Sequence, residues 1–170
     1  MSFLKHIFGE KKERAALAPL YRAAVARGRD PFWYREGGVP DTLDGRFDMV
    51  AAVTALVLLR FESLGEAGKR PAVVLTEIFI DDMDATLRQI GIGDYVVGKH
   101  VGRMMSALGG RLAAFRAAGG RDFKEAVRRN VFHEAAPSEE AVALVAGRLR
   151  TFAESLDRTG LEALLAGELP

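Results

Sequence analysis

The most apolar run of this 170-residue chain, MVAAVTALVLL at Met49–Leu59, constrains its fold more than any other feature. The run has 11 residues and lies between two charged residues, Asp48 and Arg60. A helix needs about 20 apolar residues to cross a bilayer, so this run is too short to be a membrane span. A helix that is apolar on every face is typical of the core of a globular domain. We therefore predict a buried helix that the rest of the chain surrounds.

Two amphipathic helices are predicted after this run, because apolar residues recur there at every third or fourth position. The first apolar stripe contains Leu75, Phe79, Met83, Leu87 and Ile90, and the second contains Val97, Val101, Met104, Leu108, Leu112 and Phe115. Gly91 is expected to end the first of these helices, and Asp94 is expected to cap the second.

Further helices are predicted from cap and stop residues. Their predicted ranges are Glu13–Arg27, a helix capped by Asp44 that runs to about Leu64, a helix with Pro71 in its first turn, Asp122–Glu134, and Ser138–Thr159. The stretch Asp30–Asp41 is predicted to be a loop whose adjacent aromatic residues contact the core. No stretch shows the alternation of a β-strand. The predicted fold class is all-α, a single-domain bundle of about six to seven helices, with residues 1–12 as a flexible basic and apolar segment and residues 13–170 as the helical domain.

Residue types that catalytic and metal sites need are scarce in this chain. It has no cysteine, which excludes disulfides, thiolate zinc sites and cysteine nucleophiles. Its three histidines lack the spacing of a metal-binding helix. Asp81, Asp82 and Asp84 have helical rather than calcium-loop spacing, so they form an acidic stripe that is either solvated or binds a partner. We predict no catalytic residue, no metal and no cofactor.

The segment GDYVVGKH at Gly93–His100 has most of the spacing of a phosphate-binding loop. Such a loop follows a strand and ends in Ser or Thr, whereas here a helix is predicted before it and His100 takes the last position. We therefore predict that Lys99 is a surface residue on a helix and not a nucleotide ligand. Gly98 and Gly102, which are four residues apart, are expected to let a neighbouring helix approach closely.

Charge is nearly balanced over the whole chain but unevenly distributed along it. The formal net charge of +1 argues against a dedicated nucleic-acid-binding protein. Residues 88–129 contain nine Lys or Arg against three Asp or Glu, whereas residues 131–170 contain three against seven. These regions either pair within the fold or present separate faces to partners. A helical protein that binds a ligand or a nucleic acid through Lys99 and Arg103 is the alternative function.

The N-terminal sequence MSFLKHIFGEKKER combines apolar and basic side chains and has no secretory signal pattern. Its apolar residues are Phe3, Leu4, Ile7 and Phe8. A basic amphipathic helix can lie in a membrane interface, although this one is too short to anchor a protein alone. We predict a cytoplasmic protein, and the N-terminal residues either contact the cytoplasmic face of the inner membrane or dock onto the core.

Three segments together resemble the ubiquinol–cytochrome c chaperone family. They are DTLDGRFDM at Asp41–Met49, FIDDMDATLRQIGIGDYVVGKHVGRM at Phe79–Met104, and ALGGRLAAF at Ala107–Phe115. The middle segment is the most specific of the three, because it joins an acidic amphipathic helix to a basic one through a glycine turn. Residues 17–152, which are most of the chain, share the resemblance.

The resemblance implies a bacterial respiratory-chain assembly factor and not an enzyme. It implies binding to newly made cytochrome b and promotion of cytochrome bc1 assembly, with the ribosome or a small assembly protein as a further partner. A monomer or weak dimer is expected, with peripheral membrane contact and no nucleic acid. The expected partner-binding residues lie around the Gly91–Asp94 turn and at the start of the preceding core helix, and they are Arg46, Asp81, Asp84, Gly93, Asp94, Lys99 and Arg103.

Overall fold

The computed structural model describes residues 2–89, 94–118, 122–132 and 135–170, and side chains in these ranges except at 2–10, 87, 94–97 and 100. All regular structure within these ranges is helical. In chain order the helices are α1 (Ser2–Gly28), α2 (Phe32–Arg35), α3 (Leu43–Ser63), α4 (Glu66–Gln89), α5 (Asp94–Ala117), α6 (Phe123–Val127), a π-helical turn (Arg128–Phe132), α7 (Glu139–Arg158) and α8 (Leu161–Ala166). The predicted class, an all-α single domain of about six to seven helices, is confirmed.

Helix α3 is the centre of the bundle. Every side chain from Asp48 to Leu58 is buried. Helices α1, α4, α5 and α7 and the π-helical turn all pack against it. An element that is apolar on all faces gains most from burial when other helices surround it, which is the arrangement observed here. The prediction of a buried core helix at Met49–Leu59 is confirmed.

The aromatic stretch between α1 and α3 packs against the core, as predicted. It is not a loop throughout, because Phe32–Arg35 form one helical turn, α2. Trp33 is 1% exposed, and its indole nitrogen donates to the carbonyl of Arg27 at 2.6 Å. The Tyr34 hydroxyl donates to the carbonyl of Gly28 at 2.7 Å. Both hydrogen bonds satisfy carbonyls at the C-terminal end of α1, where intrahelical partners run out.

Two predicted helix starts are wrong. Thr42 caps α3 in place of Asp44, because its extended backbone lets the side-chain oxygen accept from the amide of Gly45 at 3.1 Å. Helix α4 begins at Glu66, so Pro71 lies inside it and not in its first turn. The helix continues through Pro71 with one main-chain hydrogen bond fewer.

A tight turn joins α3 to α4. Gly65 has a φ of +62°, which is a left-handed conformation that glycine adopts without strain. A Cβ at Gly68 would lie 1.9 Å from the carbonyl oxygen of Phe61, so only glycine fits where the two helices meet. This close approach makes α4 start before the predicted position.

The apolar stripes of α4 and α5 face the core, as their spacing predicts. Leu75 and Phe79 of α4 are fully buried, and Met83 is nearly so. Leu108 and Phe115 of α5 are buried as well. The predicted stop at Gly91 and the predicted stripe residue Ile90 lie outside the described residues, and the side chains of Leu87 and Val97 are not described.

The C-terminal third differs from the prediction in two places. The helix predicted over Asp122–Glu134 is a short α6 followed by the π-helical turn, and the six-residue α8, which was not predicted, packs against α1. Ser138 caps α7 as predicted, accepting from the amide of Ala141 at 3.1 Å. Glu139 of α7 accepts hydrogen bonds from Lys124 at 2.8 Å and from Arg128. The basic middle and the acidic end of the chain thus pair within the fold at this position.

Candidate functional site

The acidic stripe of α4 is engaged within the protein. Asp81 is an ion-pair partner of Arg14 in α1. Asp82 accepts from the hydroxyl of Tyr21 at 2.7 Å, and burial together with this bond raises the pKa of Tyr21 well above its usual range. Asp84 pairs with Arg88 one turn along the same helix at 2.9 Å. The contacts of Asp81 and Asp82 hold α4 against α1, whereas that of Asp84 lies within α4. A partner that used Asp81 or Asp84 would compete with an existing contact.

Lys99 and Arg103 of α5, unlike the acidic stripe of α4, are not engaged by other described residues. Both side chains are exposed, and neither forms an ion pair or hydrogen bond with any residue that the structure describes. Lys99 is part of a regular α-helix, as predicted, and not of a phosphate-binding loop. Its ammonium group is therefore available to a partner, as is the guanidinium of Arg103.

The glycines of α5 lie on the same side of the helix, and they do not contact a neighbouring helix. A Cβ added at Gly98 or Gly102 would meet no heavy atom of a described residue within 4 Å, so no described helix makes the close approach that was predicted. The side chain of Met105 is 49% exposed on this side, although most large apolar side chains of the bundle are buried. We call the side of α5 formed by Lys99, Gly102, Arg103, Met105 and Ser106 the open face of α5.

Arg46 does not lie with the residues of α5. It is in the first turns of α3, where its Nε donates to Asp41 Oδ1 at 2.6 Å. It lines a cleft of about 270 Å³, and the other lining residues are Arg29, Pro31, Tyr34, Arg35 and Asp41. The structure thus groups Arg46 with two further arginines that the sequence analysis did not select. We call this group the arginine cleft.

Electrostatics within the arginine cleft follow from its geometry. The hydrogen bond from Arg46 holds the pKa of Asp41 below its usual range and raises the pKa of Arg46 itself. Burial raises the pKa of Tyr34 to about 12, an effect that Arg46 and Arg29 oppose and Asp41 reinforces. The charged groups act on the Tyr34 hydroxyl because they line the same cleft as Tyr34.

Several predicted contact residues are not described in enough detail to place their side chains. Gly93 lies outside the described residues, and Asp94 is the first residue of α5 without a described side chain. The predicted membrane residues Phe3, Leu4, Ile7 and Phe8 lie on α1, which runs through residue 12 without a break. Membrane contact and a flexible segment at residues 1–12 stay predictions.

The described residues form neither a cluster of metal ligands nor a membrane-spanning helix. Among the residues with described positions, no three His, Asp or Glu side chains converge as a metal site would require. None of the helices in the described ranges is long and apolar enough to cross a bilayer.

Comparison with known proteins connects this architecture to a function. The sequence matches the family described as ubiquinol-cytochrome C chaperone over residues 35–169. The chain belongs to this family. The match includes the whole open face of α5 and, within the arginine cleft, Arg35 and Arg46.

A solved structure is similar to this ubiquinol–cytochrome c chaperone family member over nearly its whole length, including the N-terminal helix. The crystal structure of the Cbp3 homolog from Brucella abortus is similar to it with a TM-score of 0.79 and 27% sequence identity. The similarity covers 98% of this chain and 95% of that chain. No curated protein matches the sequence. Helix α1, although outside residues 35–169, therefore lies within the range of structural similarity.

Proposed function

We propose that this protein is an assembly chaperone that binds newly made cytochrome b and promotes assembly of the cytochrome bc1 complex. The match to the ubiquinol–cytochrome c chaperone family over residues 35–169 is the observation that carries the proposal. A chaperone of this kind acts by binding and release, so we propose no catalytic residue.

The open face of α5 is the proposed contact surface for the client. Lys99 and Arg103 have charged groups without partners among the described residues, and Met105 adds an adaptable apolar side chain. Gly102 has no side chain, and no atom of a described residue lies within 4 Å of where its Cβ would be, so a client segment could approach the helix backbone closely there. A membrane protein awaiting assembly presents both apolar helix ends and polar loops. A face with apolar, basic and side-chain-free positions is suited to both.

Asp81, Asp84, Gly93 and Asp94 belong to the same proposal as secondary contacts. They lie on α4 or at the junction of α4 with α5, and α4 packs against α5. Because Asp81 and Asp84 already have intramolecular partners, we expect them to contribute less to client binding than Lys99 and Arg103.

The proposed place of action is the cytoplasmic face of the inner membrane, where a cytochrome b chain emerges. Phe3, Leu4, Ile7 and Phe8 are the proposed membrane contacts, since a short basic amphipathic helix suits a lipid interface. A monomer or weak dimer suffices for this role, with the ribosome or a small assembly protein as a further partner.

A pull-down from cells that make the tagged protein tests the proposal directly. Membranes are dissolved in mild detergent, and the recovered proteins are identified by mass spectrometry. We expect enrichment of cytochrome b without the other subunits of the mature bc1 complex. A parallel sample is crosslinked before lysis, so that brief contacts are also captured. Absence of cytochrome b from both samples would contradict the proposal.

A further inference from the structure

The arginine cleft is built by three chain segments that meet around one aromatic anchor. Arg29 follows the end of α1, and Arg35 is the last residue of α2. The amide of Phe32 donates to Asp30 Oδ1 at 3.0 Å, which turns the chain sharply between these two helices. The buried Trp33 then fixes α2 against the core. This turn brings Arg29 and Arg35 to the same cleft as Arg46.

Asp41, which lines the cleft, and Asp30, which follows Arg29 in the sequence, are both already paired with arginines. Asp30 pairs with Arg148 of α7 at 3.2 Å, and that guanidinium also stacks 3.9 Å from the ring centre of Phe32. Asp41 pairs with Arg46. Glu36 follows Arg35 in the sequence but does not line the cleft.

Two positive charges consequently remain in the cleft without a counter-charge. The guanidinium groups of Arg29 and Arg35 form no ion pair or hydrogen bond with any described residue, and both side chains are exposed. Lysines or histidines brought together in this way could lose a proton, but arginine stays charged at any physiological pH. The two guanidinium groups therefore repel each other at every physiological pH, and a bound anion would replace this repulsion with attraction.

We propose that the arginine cleft binds a phosphate group through Arg29 and Arg35, with Arg46 as a third contact. The planar guanidinium presents paired N–H donors that match the oxygens of phosphate. The two uncompensated charges balance the charge of about −2 that inorganic phosphate or a phosphate monoester carries near neutral pH, and they exceed the single charge of a lipid phosphodiester. A cleft of about 270 Å³ has room for either group. The Tyr34 hydroxyl donates to the carbonyl of Gly28, so its proton is already used and the arginines are the donors left for the phosphate.

This inference goes beyond the proposed client binding, because it concerns a different surface and a different ligand. None of the residues lining the cleft comes from α4 or α5. The phosphate can belong to the headgroup of an anionic phospholipid or to a soluble phosphate compound, and both present the same group to the arginines.

Binding of inorganic phosphate to the full-length protein is the first measurement. Isothermal titration at constant ionic strength compares the natural protein with the double variant Arg29→Gln/Arg35→Gln. We expect saturable binding that becomes at least about tenfold weaker in the variant, since each lost contact is a charge-assisted hydrogen bond. The variant Arg22→Gln/Arg158→Gln removes the same charge from exposed positions outside the cleft and outside the basic N-terminal segment, and it is expected to bind phosphate as the natural protein does.

A gain-of-binding variant keeps the test independent of any folding defect. Asp41→Asn removes the negative charge that occupies Arg46 and frees that guanidinium for the ligand. We expect phosphate binding to become several-fold tighter in Asp41→Asn. Unchanged or weaker binding would exclude Arg46 and Asp41 from the site and overturn the proposal as stated.

Vesicle co-sedimentation separates the two sources of phosphate. Vesicles of phosphatidylglycerol in phosphatidylcholine are compared with phosphatidylcholine alone, using the cleft variant and its matched control. Phosphatidylglycerol-dependent binding that is lost only in the cleft variant supports a lipid headgroup, and binding of inorganic phosphate without it supports a soluble compound.

No binding to either probe, equal losses in both double variants, or binding only to an acidic peptide would overturn the proposal. Recovery of cytochrome b by the cleft variant is measured in parallel, so that failure of the proposed function is seen separately.

Discussion

Asp48 of α3 and Arg111 of α5 form an ion pair in the interior of the bundle, with side chains only 5% and 2% exposed. The same guanidinium donates to the carbonyl of Ala107 at 3.0 Å and to that of Asn130 in the π-helical turn at 2.7 Å. It also lies 5.6 Å from the ring centre of Phe47. One charged group therefore connects α3, α5 and the π-helical turn. Burial lowers the pKa of Arg111, and the attraction of Asp48 opposes this effect.

Breaking this pair on one side is expected to destabilise the protein strongly. Asp48→Ala leaves the buried Arg111 guanidinium without its counter-charge, which we expect to cost about 3–5 kcal/mol of the free energy of unfolding. Urea unfolding followed by circular dichroism measures this. The double variant Asp48→Leu/Arg111→Met should lose clearly less than the sum of its single variants, because no unpaired charge remains. Additive losses would show that the two side chains are not energetically coupled.

Two glycine substitutions should have opposite effects on stability. Gly68→Ala puts a methyl group 1.9 Å from the carbonyl oxygen of Phe61, so the start of α4 must move away from α3. We expect a loss of about 2 kcal/mol or more. Gly102→Ala meets no atom within 4 Å and lies in the middle of a helix, so it should stabilise the protein by about 0.5–1 kcal/mol. Thermal unfolding of both variants side by side is sufficient, and destabilisation by Gly102→Ala would mean that this face is covered.

The raised pKa of the Tyr34 hydroxyl predicts that the folded protein loses stability in alkaline solution. Its pKa is raised from about 10 to about 12 in the folded protein, mainly by burial. The protonated phenol therefore contributes stability that is complete below pH 10 and is lost as the pH rises from 10 to about 12. Tyr34→Phe lacks this titration and, at neutral pH, lacks a hydrogen bond worth about 1 kcal/mol. The difference in unfolding free energy between the natural protein and Tyr34→Phe should shrink across this range, and a constant difference would contradict the assignment.

Charge reversal on the open face of α5 should weaken client binding without changing the fold. Neither Lys99 nor Arg103 has a partner among the described residues, so Lys99→Glu/Arg103→Glu should keep the natural melting temperature. We expect recovery of cytochrome b in the pull-down to fall by about fivefold or more, because like charges then face the surface that the basic groups contacted. Arg22→Glu/Arg158→Glu carries the same change in charge on exposed positions of α1 and α7 and serves as the control. Equal recovery with both double variants would remove the α5 face from the proposed function.

Much of the fold could be predicted because its information is local. The periodic apolar residues of α4 and α5 and the unbroken apolar run of α3 specify which faces are buried, and these predictions hold in the structure. The ends of the helices were harder to predict from the sequence, because they depend on contacts between distant segments. The start of α4 depends on how closely Gly68 approaches Phe61, and α8 is a six-residue helix that exists by packing Leu164 against α1.

The candidate surfaces, like the fold, could be predicted from the sequence only in part. The sequence placed Lys99 and Arg103 on one exposed side of a helix, since their spacing of one turn is enough to specify that. It could not show that Gly98 and Gly102 have no neighbour, because a pair of glycines four residues apart is equally compatible with close packing and with an open face. Nor could it show that Asp81 pairs with Arg14, which is 67 positions away in the chain.

The sequence by itself determined the helical class, the buried central helix and the family resemblance, because each follows from residue type and short-range spacing. Only the tertiary structure decided which charges are free. Asp30 is neutralised by Arg148 from the other end of the chain, Asp41 by Arg46, and Asp48 by Arg111. Ion pairing depends on distances in space and not on distance along the chain, so a sequence cannot show which of its arginines are left over. Within the described part of this protein, the exposed arginines left without a counter-charge include Arg29 and Arg35, and they share one cleft.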